Sequence, residues 1–445
     1  MRKRIYRNDF VMKISEGIKD IQFHNLIKYD FAKGLNLISE ADELQVCTSC
    51  FYKRLKNGLH YVLNICKTIL YPLFIANFNL KNHGKIIFLL APPDVQKRRK
   101  DIARLFDDVS NLTDYCDQLS FTYHSRHTFS IYRSLCLFYL VIYWFIQLIP
   151  SKLTLRKKIR VIYELTQLYD FQTILKKINI TQYNLALVFY DANLYNNFFV
   201  QFFKYKGCKT ATLQHGIMVA ARPNVKNNLD FKGIEFTGSI SDYFLAWNEF
   251  TKREAIKGGI PDNRIKVLGV VKCIGQQPYK QTNNNKKNCL GVLLDGIYSN
   301  SNNEKLIRII NKYSQQTNTR YILKYHPAYK GNEFELLMNE NGSALPINSS
   351  LKELIECSDG IIVANSTALF ELAYLNVRFY RFKSEPEIDK FRDLMIPMFS
   401  TEEELINILG NDYKCSQKIR TELCGTCNDV KLSYASFLNE FIYEK

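Results

Sequence analysis

Short, mostly apolar runs alternate with stretches of helical period along this chain, in two series separated by a polar linker, and this pattern constrains the fold more than any other feature. Runs at 185–190, 209–213, 243–247 and 265–271 read as strands. Between them, 195–205 reads as an amphipathic helix. A second helix starts at Asn248 as cap, runs to Ile256 and stops at Gly258-Gly259. An earlier run at 84–93, closed by Pro92 and Pro93, is also strand-like. Beyond the polar stretch 276–288 the pattern restarts, with strands at 290–294, 321–324, 360–364 and 377–382 and helices at 303–313, 350–357 and 367–375. Unbroken apolar runs suit strands covered on both faces, and strands that alternate with helices pair in parallel. The expected fold class is α/β, two doubly wound Rossmann-like domains facing a cleft. An N-terminal domain is expected at 1–275, with a helical insertion near 121–180, and a C-terminal domain at 289–445. The 445 residues suit two such domains.

With 47% apolar and 23% charged residues the chain is globular, but its net charge of +17 favours an anionic partner: a polyanion, an anionic membrane surface or a phosphorylated substrate. No helix-turn-helix, zinc finger or aromatic RNA-binding signature accompanies the charge, and part of the Lys and Asn excess is compositional, as at 283–288. Nucleic acid is therefore not an expected partner. The basic start, Met1-Arg2-Lys3-Arg4, lacks the apolar stretch of a signal peptide, and twelve cysteines in such a chain imply reduced thiols and a cytoplasmic location. The two Cys-x-x-Cys pairs, Cys47/Cys50 and Cys424/Cys427, lie at opposite ends of the chain, too far apart for the usual zinc spacing. His124 and His127 have metal-like spacing without a clear third ligand. No metal and no cofactor are expected.

Residues 134–149 carry no charge and end at Pro150; sixteen residues fall short of the ~20 that cross a bilayer. Lys152, Arg156, Lys157, Lys158 and Arg160 follow at once. An apolar, aromatic segment beside basic residues reads as an interfacial anchor, peripheral on the inner face of the cytoplasmic membrane. The alternative is a buried core helix followed by a solvated basic one.

Three segments carry the chemistry, each where a strand gives way to a loop. Asn365-Ser366-Thr367 follows a strand and opens a helix, so Asn365 or Ser366 is expected as its cap, with free N–H groups aimed at a phosphate and Glu371 within reach of the adjoining ribose. Lys324 and His326, two apart at a strand end and closed by Pro327, share a face and suit the charge building on a departing phosphate. Gln214-His215-Gly216 ends a strand in the first half. Glycine there lets the chain turn, and His215 can take a proton from an acceptor hydroxyl. Asp295-Gly296 opens the loop after the first strand of the second series and is expected near the nucleotide. Arg222 is a candidate grip on an anionic acceptor or donor. No Asp-x-Asp occurs, which favours neutralisation of phosphate by side chains and a helix end over a bound divalent ion.

These motifs resemble the GT-B enzymes, and within them bacterial surface-polysaccharide enzymes such as capsule glycosyltransferases, bacterial sialyltransferases and CDP-glycerol glycerophosphotransferases. Those families are similar in carrying a His-Pro motif and a later Ser/Thr motif that contact the nucleotide, to which His326-Pro327 and Ser366-Thr367 correspond. The resemblance covers about 183–385. Where the sialyltransferases have an acidic pair before glycine, this chain has Gln214-His215-Gly216, closer to the His-Gly of the glycerophosphotransferases but without their preceding Trp. Hydrolysing UDP-sugar 2-epimerases share the architecture and a similar Ser-to-Glu segment, with Ser-Gly-Gly where Ser366-Thr367-Ala368 stands here. The resemblance implies a metal-independent, inverting transferase that moves a sugar or polyol phosphate from a CMP-, CDP- or UDP-linked donor to a lipid-linked or surface glycan acceptor, in capsule, lipopolysaccharide or other surface-polysaccharide synthesis. The alternatives are an epimerase or hydrolase of the same fold, and a non-enzymatic basic scaffold on membrane or nucleic acid.

Overall fold

The computed structural model describes residues 77–79, 84–90, 100–122, 178–191, 194–220, 239–279, 288–296, 299–327, 329–384, 396–411, 416–425 and 429–443, with single residues between 135 and 175, residue 236 and residues 390, 391 and 394. Arg222, His124, His127, Cys47, Cys50, Cys427 and the basic residues at 152–160 named above lie outside them, as does most of the linker. The chain divides into two compact units, one formed by Met1–His215, Ile234–Phe244 and Ala435–Lys445, the other by Gly216–Gly233 and Leu245–Tyr434.

The first sheet has seven strands: β1 (Asn77–Asn79), β2 (Ile86–Leu89), β3 (Cys116–Thr122), β4 (Leu185–Phe189), β5 (Lys209–Leu213), β6 (Tyr243–Ala246) and β7 (Ile265–Val267), in the order β1-β3-β2-β4-β5-β6-β7. β2 pairs in parallel with β3 and β4, and β4 with β5, while β1 runs antiparallel to β3 at the edge. Helix α1 (Lys100–Ser110) links β2 to β3, α2 (Leu194–Tyr205) links β4 to β5, and α3 (Glu249–Lys257) links β6 to β7. Every residue of β2 and β4 is buried, as expected of a parallel sheet covered on both faces. Each fully buried Leu, Ile, Val or Phe contributes ~1.5–3 kcal/mol, so these central strands anchor the unit.

The second sheet is parallel throughout its six strands: β8 (Cys289–Leu293), β9 (Arg320–Lys324), β10 (Gly342–Ala344), β11 (Gly360–Val363), β12 (Phe379–Phe382) and β13 (Met398–Phe399), ordered β10-β9-β8-β11-β12-β13. Its unit holds α4 (Asn300–Thr317), α5 (Leu351–Cys357), α6 (Ala368–Tyr374), α7 (Glu402–Gly410) and α8 (Gln417–Cys424), whereas α9 (Val430–Tyr443) belongs from Ala435 onward to the first unit, where Asn184 donates to the Phe441 carbonyl. Ile307 and Ile310 of α4 join Val292, Leu323 and Ile362 of the sheet in one core cluster. At Gly291 in β8 a side chain would meet Ile361 Cδ1 at 2.6 Å and Leu354 Cγ at 2.9 Å, so glycine is what lets α5 sit against the sheet.

Several elements depart from the sequence pattern. The run expected as a strand to Val271 stops at Val267, because Gly269 takes φ +97° and Val271–Cys273 forms a 3-10 turn. Helix α4 is longer than its apolar period, reaching from Asn300 to Thr317 and ending on Asn318 in the left-handed conformation. The cap at Asn248 forms as expected, accepting from the Thr251 N–H; Ser350, expected as the first helical residue, instead caps α5 in a reciprocal capping box with Glu353. Within 134–149, the described residues are helical, and Leu135, Tyr139, Ile142 and Ile146 are each more than half exposed. Among the described residues no helix is long and apolar enough to cross a membrane.

Candidate functional site

The second sheet winds outward from β8 through β9 to β10 and, on the other side, from β11 through β12 to β13, so its topological switch lies between β8 and β11. Open α/β sheets bind ligands outside the carboxyl ends of the strands at such a switch. Asp295 stands two residues past β8 and Asn365 two past β11. Asp295 is 6% exposed, and its carboxylate accepts the Asn365 N–H at 3.0 Å, tying the two strand ends together. The end of β9 is drawn in by a backbone bond from Leu294 N–H to Lys324 C=O at 3.1 Å. His326 follows, half-buried, with its ring over Gly296; a side chain at Gly296 would lie 3.8 Å from the imidazole. Asp295-Gly296, Lys324, His326 and Asn365-Ser366-Thr367 thus gather at the carboxyl ends of three adjacent strands.

The opening of α6 differs from the expected cap. Thr367, not Asn365 or Ser366, holds the N-cap position, and its side chain makes no capping bond. Ser366 Oγ accepts the Ala368 N–H at 3.3 Å. Asn365 is turned elsewhere: its Nδ2 donates to Ser384 Oγ at 2.8 Å and its Oδ1 accepts the Lys390 N–H at 3.1 Å. These bonds tie down the loop after β12, so Asn365 braces the site.

Glu371, on the first turn of α6, pairs with Lys272 across 3.4 Å, and the same Lys272 Nζ lies 3.4 Å from Thr367 Oγ1. Lys272 was not singled out from the sequence, which assigned its surroundings to the end of a strand. Burial holds Lys324 below the ordinary lysine value, and the carboxylates of Glu353 and Glu371 offset part of that. Two ammonium groups, an imidazole, two hydroxyls and the Glu371 carboxylate, beside the buried Asp295 carboxylate that binds the Asn365 N–H, suit a phosphorylated ligand with a hydroxyl-bearing neighbour.

Beneath this set, Asn303 of α4 was also missed. It is 1% exposed; its Oδ1 accepts the Asp295 N–H at 3.0 Å, and its Nδ2 donates to the Asp295 C=O at 3.0 Å and to the Tyr329 hydroxyl at 2.9 Å. Its signal in the sequence is a polar residue on the helix face defined by Leu306, Ile307 and Ile310.

In the first unit the switch lies between β2 and β4. His215, half-buried past the end of β5, packs against Tyr190 at a ring distance of 4.3 Å and Phe189 at 5.8 Å. Gln214 before it is fully buried. Tyr190 adopts φ +72°, a left-handed conformation that costs a non-glycine residue ~1–2 kcal/mol. Asn196 holds it by donating to the Phe189 and Tyr190 carbonyls, and Thr212 Oγ1 accepts the Tyr190 and Asp191 N–H groups, both at 3.1 Å. Asp191, 2% exposed, takes the Ile240 and Ser241 N–H groups at 2.9 and 2.8 Å. Neither Tyr190 nor Asp191 was legible as a site residue, since nothing local marks a tyrosine for positive φ. Gly216 belongs to the second unit, where a side chain on it would lie 3.9 Å from Thr367 Cγ2.

No protein-family model matches the sequence, and no curated protein matches it. Solved structures do. The S. aureus MnaA–UDP co-structure superposes with a TM-score of 0.50 at 10% identity, covering 81% of this chain and 96% of that one. UDP-GlcNAc 2-epimerase of Methanocaldococcus jannaschii, in complex with UDP-GlcNAc and UDP, gives 0.46 at 14% identity over 81% and 99%. The lipopolysaccharide outer core galactosyltransferase WaaB gives 0.45 at 13% identity over 80% and 99%. Of these three the first alone reaches one half, and at such identity it speaks to fold. With two predominantly parallel sheets and their helices, the chain has the two-unit α/β architecture of the GT-B type, as the sequence pattern led us to expect.

Proposed function

We propose that this chain is a metal-independent transferase that moves a sugar or polyol phosphate from a nucleotide donor to a lipid-linked or surface glycan. The observation that carries the reading is the gathering of Asp295-Gly296, His326 and Asn365-Ser366-Thr367 at one sheet's switch point, with Lys324 and Glu371 in electrostatic reach of each other. In this reading the Ser366 and Thr367 hydroxyls receive the donor phosphate, the Ala368, Leu369 and Phe370 N–H groups being bonded to Ser366 and Thr367 within the turn rather than free as expected, and Glu371 takes a ribose hydroxyl. His326 and Lys324 stabilise the leaving nucleotide as its bond to the transferred group breaks. His215 removes the proton of the acceptor hydroxyl as the new bond forms. Gln214 and Gly216 place that histidine, and Arg222 is assigned to an anionic acceptor or donor.

The proposed location is the inner face of the cytoplasmic membrane. Leu135, Tyr139, Ile142 and Ile146 recur at helical spacing and are exposed, and five basic residues follow within the next fifteen positions of the sequence. Apolar side chains inserted at an interface and basic residues near anionic lipid, each contributing ~1 kcal/mol, give reversible attachment.

Turnover of UDP-GlcNAc, CDP-glycerol or CMP-sialic acid, measured with and without a bacterial glycolipid fraction, tests the reading. Strict acceptor dependence is expected, with His215→Ala and His326→Ala each losing ~100-fold or more. Nucleotide release or epimer formation without acceptor would move the assignment to an epimerase or hydrolase. Near wild-type turnover in both variants would remove the roles given to the histidines.

A further inference from the structure

We propose that the Lys272–Glu371 pair is a specificity device, one that admits phosphorylated nucleotides and turns away bare nucleosides. The inference rests on the reading of Ser366 to Glu371 as a nucleotide site. Lys272 lies in the turn Val271–Cys273, whose other two residues are completely buried. The turn is fastened to its surroundings: Gln276 Nε2 donates to the Lys272 carbonyl at 2.8 Å, the Tyr374 hydroxyl of α6 donates to the Gln276 carbonyl at 3.3 Å, and the Tyr279 N–H donates to the Leu375 carbonyl at 2.7 Å. The lysine is therefore presented to α6 by a fixed backbone. Its side chain is 21% exposed and that of Glu371 16%.

Both contacts of Lys272 Nζ, to Glu371 Oε1 and Thr367 Oγ1, are 3.4 Å, the long limit of a hydrogen bond. Phosphate oxygen approaches an ammonium to about 2.7–2.9 Å and would displace both. A ribose whose two adjacent hydroxyls take both oxygens of the Glu371 carboxylate competes with Lys272 for Oε1, which leaves a largely buried ammonium short of its counter-charge, an unfavourable state. A ligand that brings phosphate replaces the counter-charge in the same event, so the carboxylate passes to the ribose and the ammonium to the phosphate. A nucleoside has nothing to offer Lys272. The pair therefore raises the barrier to nucleosides and rewards phosphate.

Removing the lysine should change the two classes of ligand differently. In Lys272→Met, affinity for a nucleoside diphosphate should fall about 10- to 100-fold, the loss of one charged hydrogen bond, while affinity for the nucleoside holds or improves. Glu371 keeps the field of Lys324 in this variant, so its charge is still met. Isothermal titration of uridine, UMP and UDP, and of cytidine, CMP and CDP, into wild type, Lys272→Met and Lys272→Arg reads the ratio directly. The diphosphate-to-nucleoside ratio should collapse in the methionine variant and largely survive in the arginine one. Equal weakening of every ligand would mean that Lys272 only supports the fold, and an unchanged ratio would mean that phosphate does not meet it; either overturns the proposal while leaving the nucleotide site standing. Failure of wild type to bind any of the six ligands would instead remove the nucleotide reading and this inference with it.

Discussion

Asn303→Ala should destabilise the second unit by ~2–6 kcal/mol. The side chain is buried and satisfies both backbone groups of Asp295 as well as the Tyr329 hydroxyl. Tyr329 retains its bond to Asn300, so the loss falls on the Asp295 N–H and C=O. A buried backbone group left without its partner costs ~1–3 kcal/mol, which gives the stated range for two. Its neighbour Asn302 is the control, being equally buried at 2% exposed, yet its Nδ2 finds no partner among the described residues. Asn302→Ala should cost less than ~1 kcal/mol, as expected where no hydrogen bond is lost. The chain has two tryptophans, and Trp247 is completely buried in the second unit. In a Trp144→Phe background, urea unfolding followed by Trp247 fluorescence reports that unit alone, which matters because a two-unit protein need not unfold in one step. If Asn303→Ala falls within ~0.5 kcal/mol of the background, or if Asn302→Ala costs as much, then Asn303 does not hold the Asp295-Gly296 loop and the hydrogen-bond reasoning is wrong.

Three further outcomes follow from the same structure. Because burial depresses Lys324, the native state sheds its proton before the unfolded chain does, so stability should rise with pH between the native value and the ordinary 10.5; Lys324→Met should flatten that slope in urea titrations from pH 8 to 10.5. Burial pushes Asp242 up, but hydrogen bonds from Lys204 and Thr210 outweigh it and hold the carboxyl below its ordinary 3.8; its contribution should be intact above that value and lost as pH falls through the native one, a loss absent from Asp242→Asn in acid unfolding. Cys116 and Cys208 are pushed up to about 12 by burial whereas Cys357 is exposed, so iodoacetamide at pH 8 should label Cys357 first among these three, as peptide mass mapping would show.

The parts of the fold visible in the sequence were those set by local period. β4, β8 and β11 are unbroken runs without a polar side chain apart from Cys289, β5 is a β-branched run, Lys-Thr-Ala-Thr-Leu, and the ends of all four fell within a residue of the structure. The candidate residues at those ends were legible for the same reason, since a strand's carboxyl end is where an open sheet presents side chains to a ligand. Edge strands such as β1, Asn-Phe-Asn, and β10, Gly-Ser-Ala, have no such pattern and exist through their neighbours. What the pattern concealed was long-range. Asn365 has the chemistry of a cap, yet its partners lie 19 and 25 residues away in the loop after β12. Lys272 pairs with a helix almost a hundred residues later, and Asn303 reads at first as one more surface asparagine of a polar helix start.

The most direct test of the central claim is a thermal-shift titration of the purified chain with CMP, CDP, UDP and GDP. The account predicts that at least one nucleotide stabilises the protein, by ~2.7 kcal/mol when held at 100 times its dissociation constant, and that a Ser366→Ala/Thr367→Val double variant loses most of that shift while its unliganded stability falls by no more than ~1–2 kcal/mol, for the lost bond from the Ala368 N–H to Ser366. A folded protein that none of the four shifts at millimolar concentration, while it binds anionic vesicles or duplex with steep salt dependence, would contradict the account and leave a basic scaffold in its place.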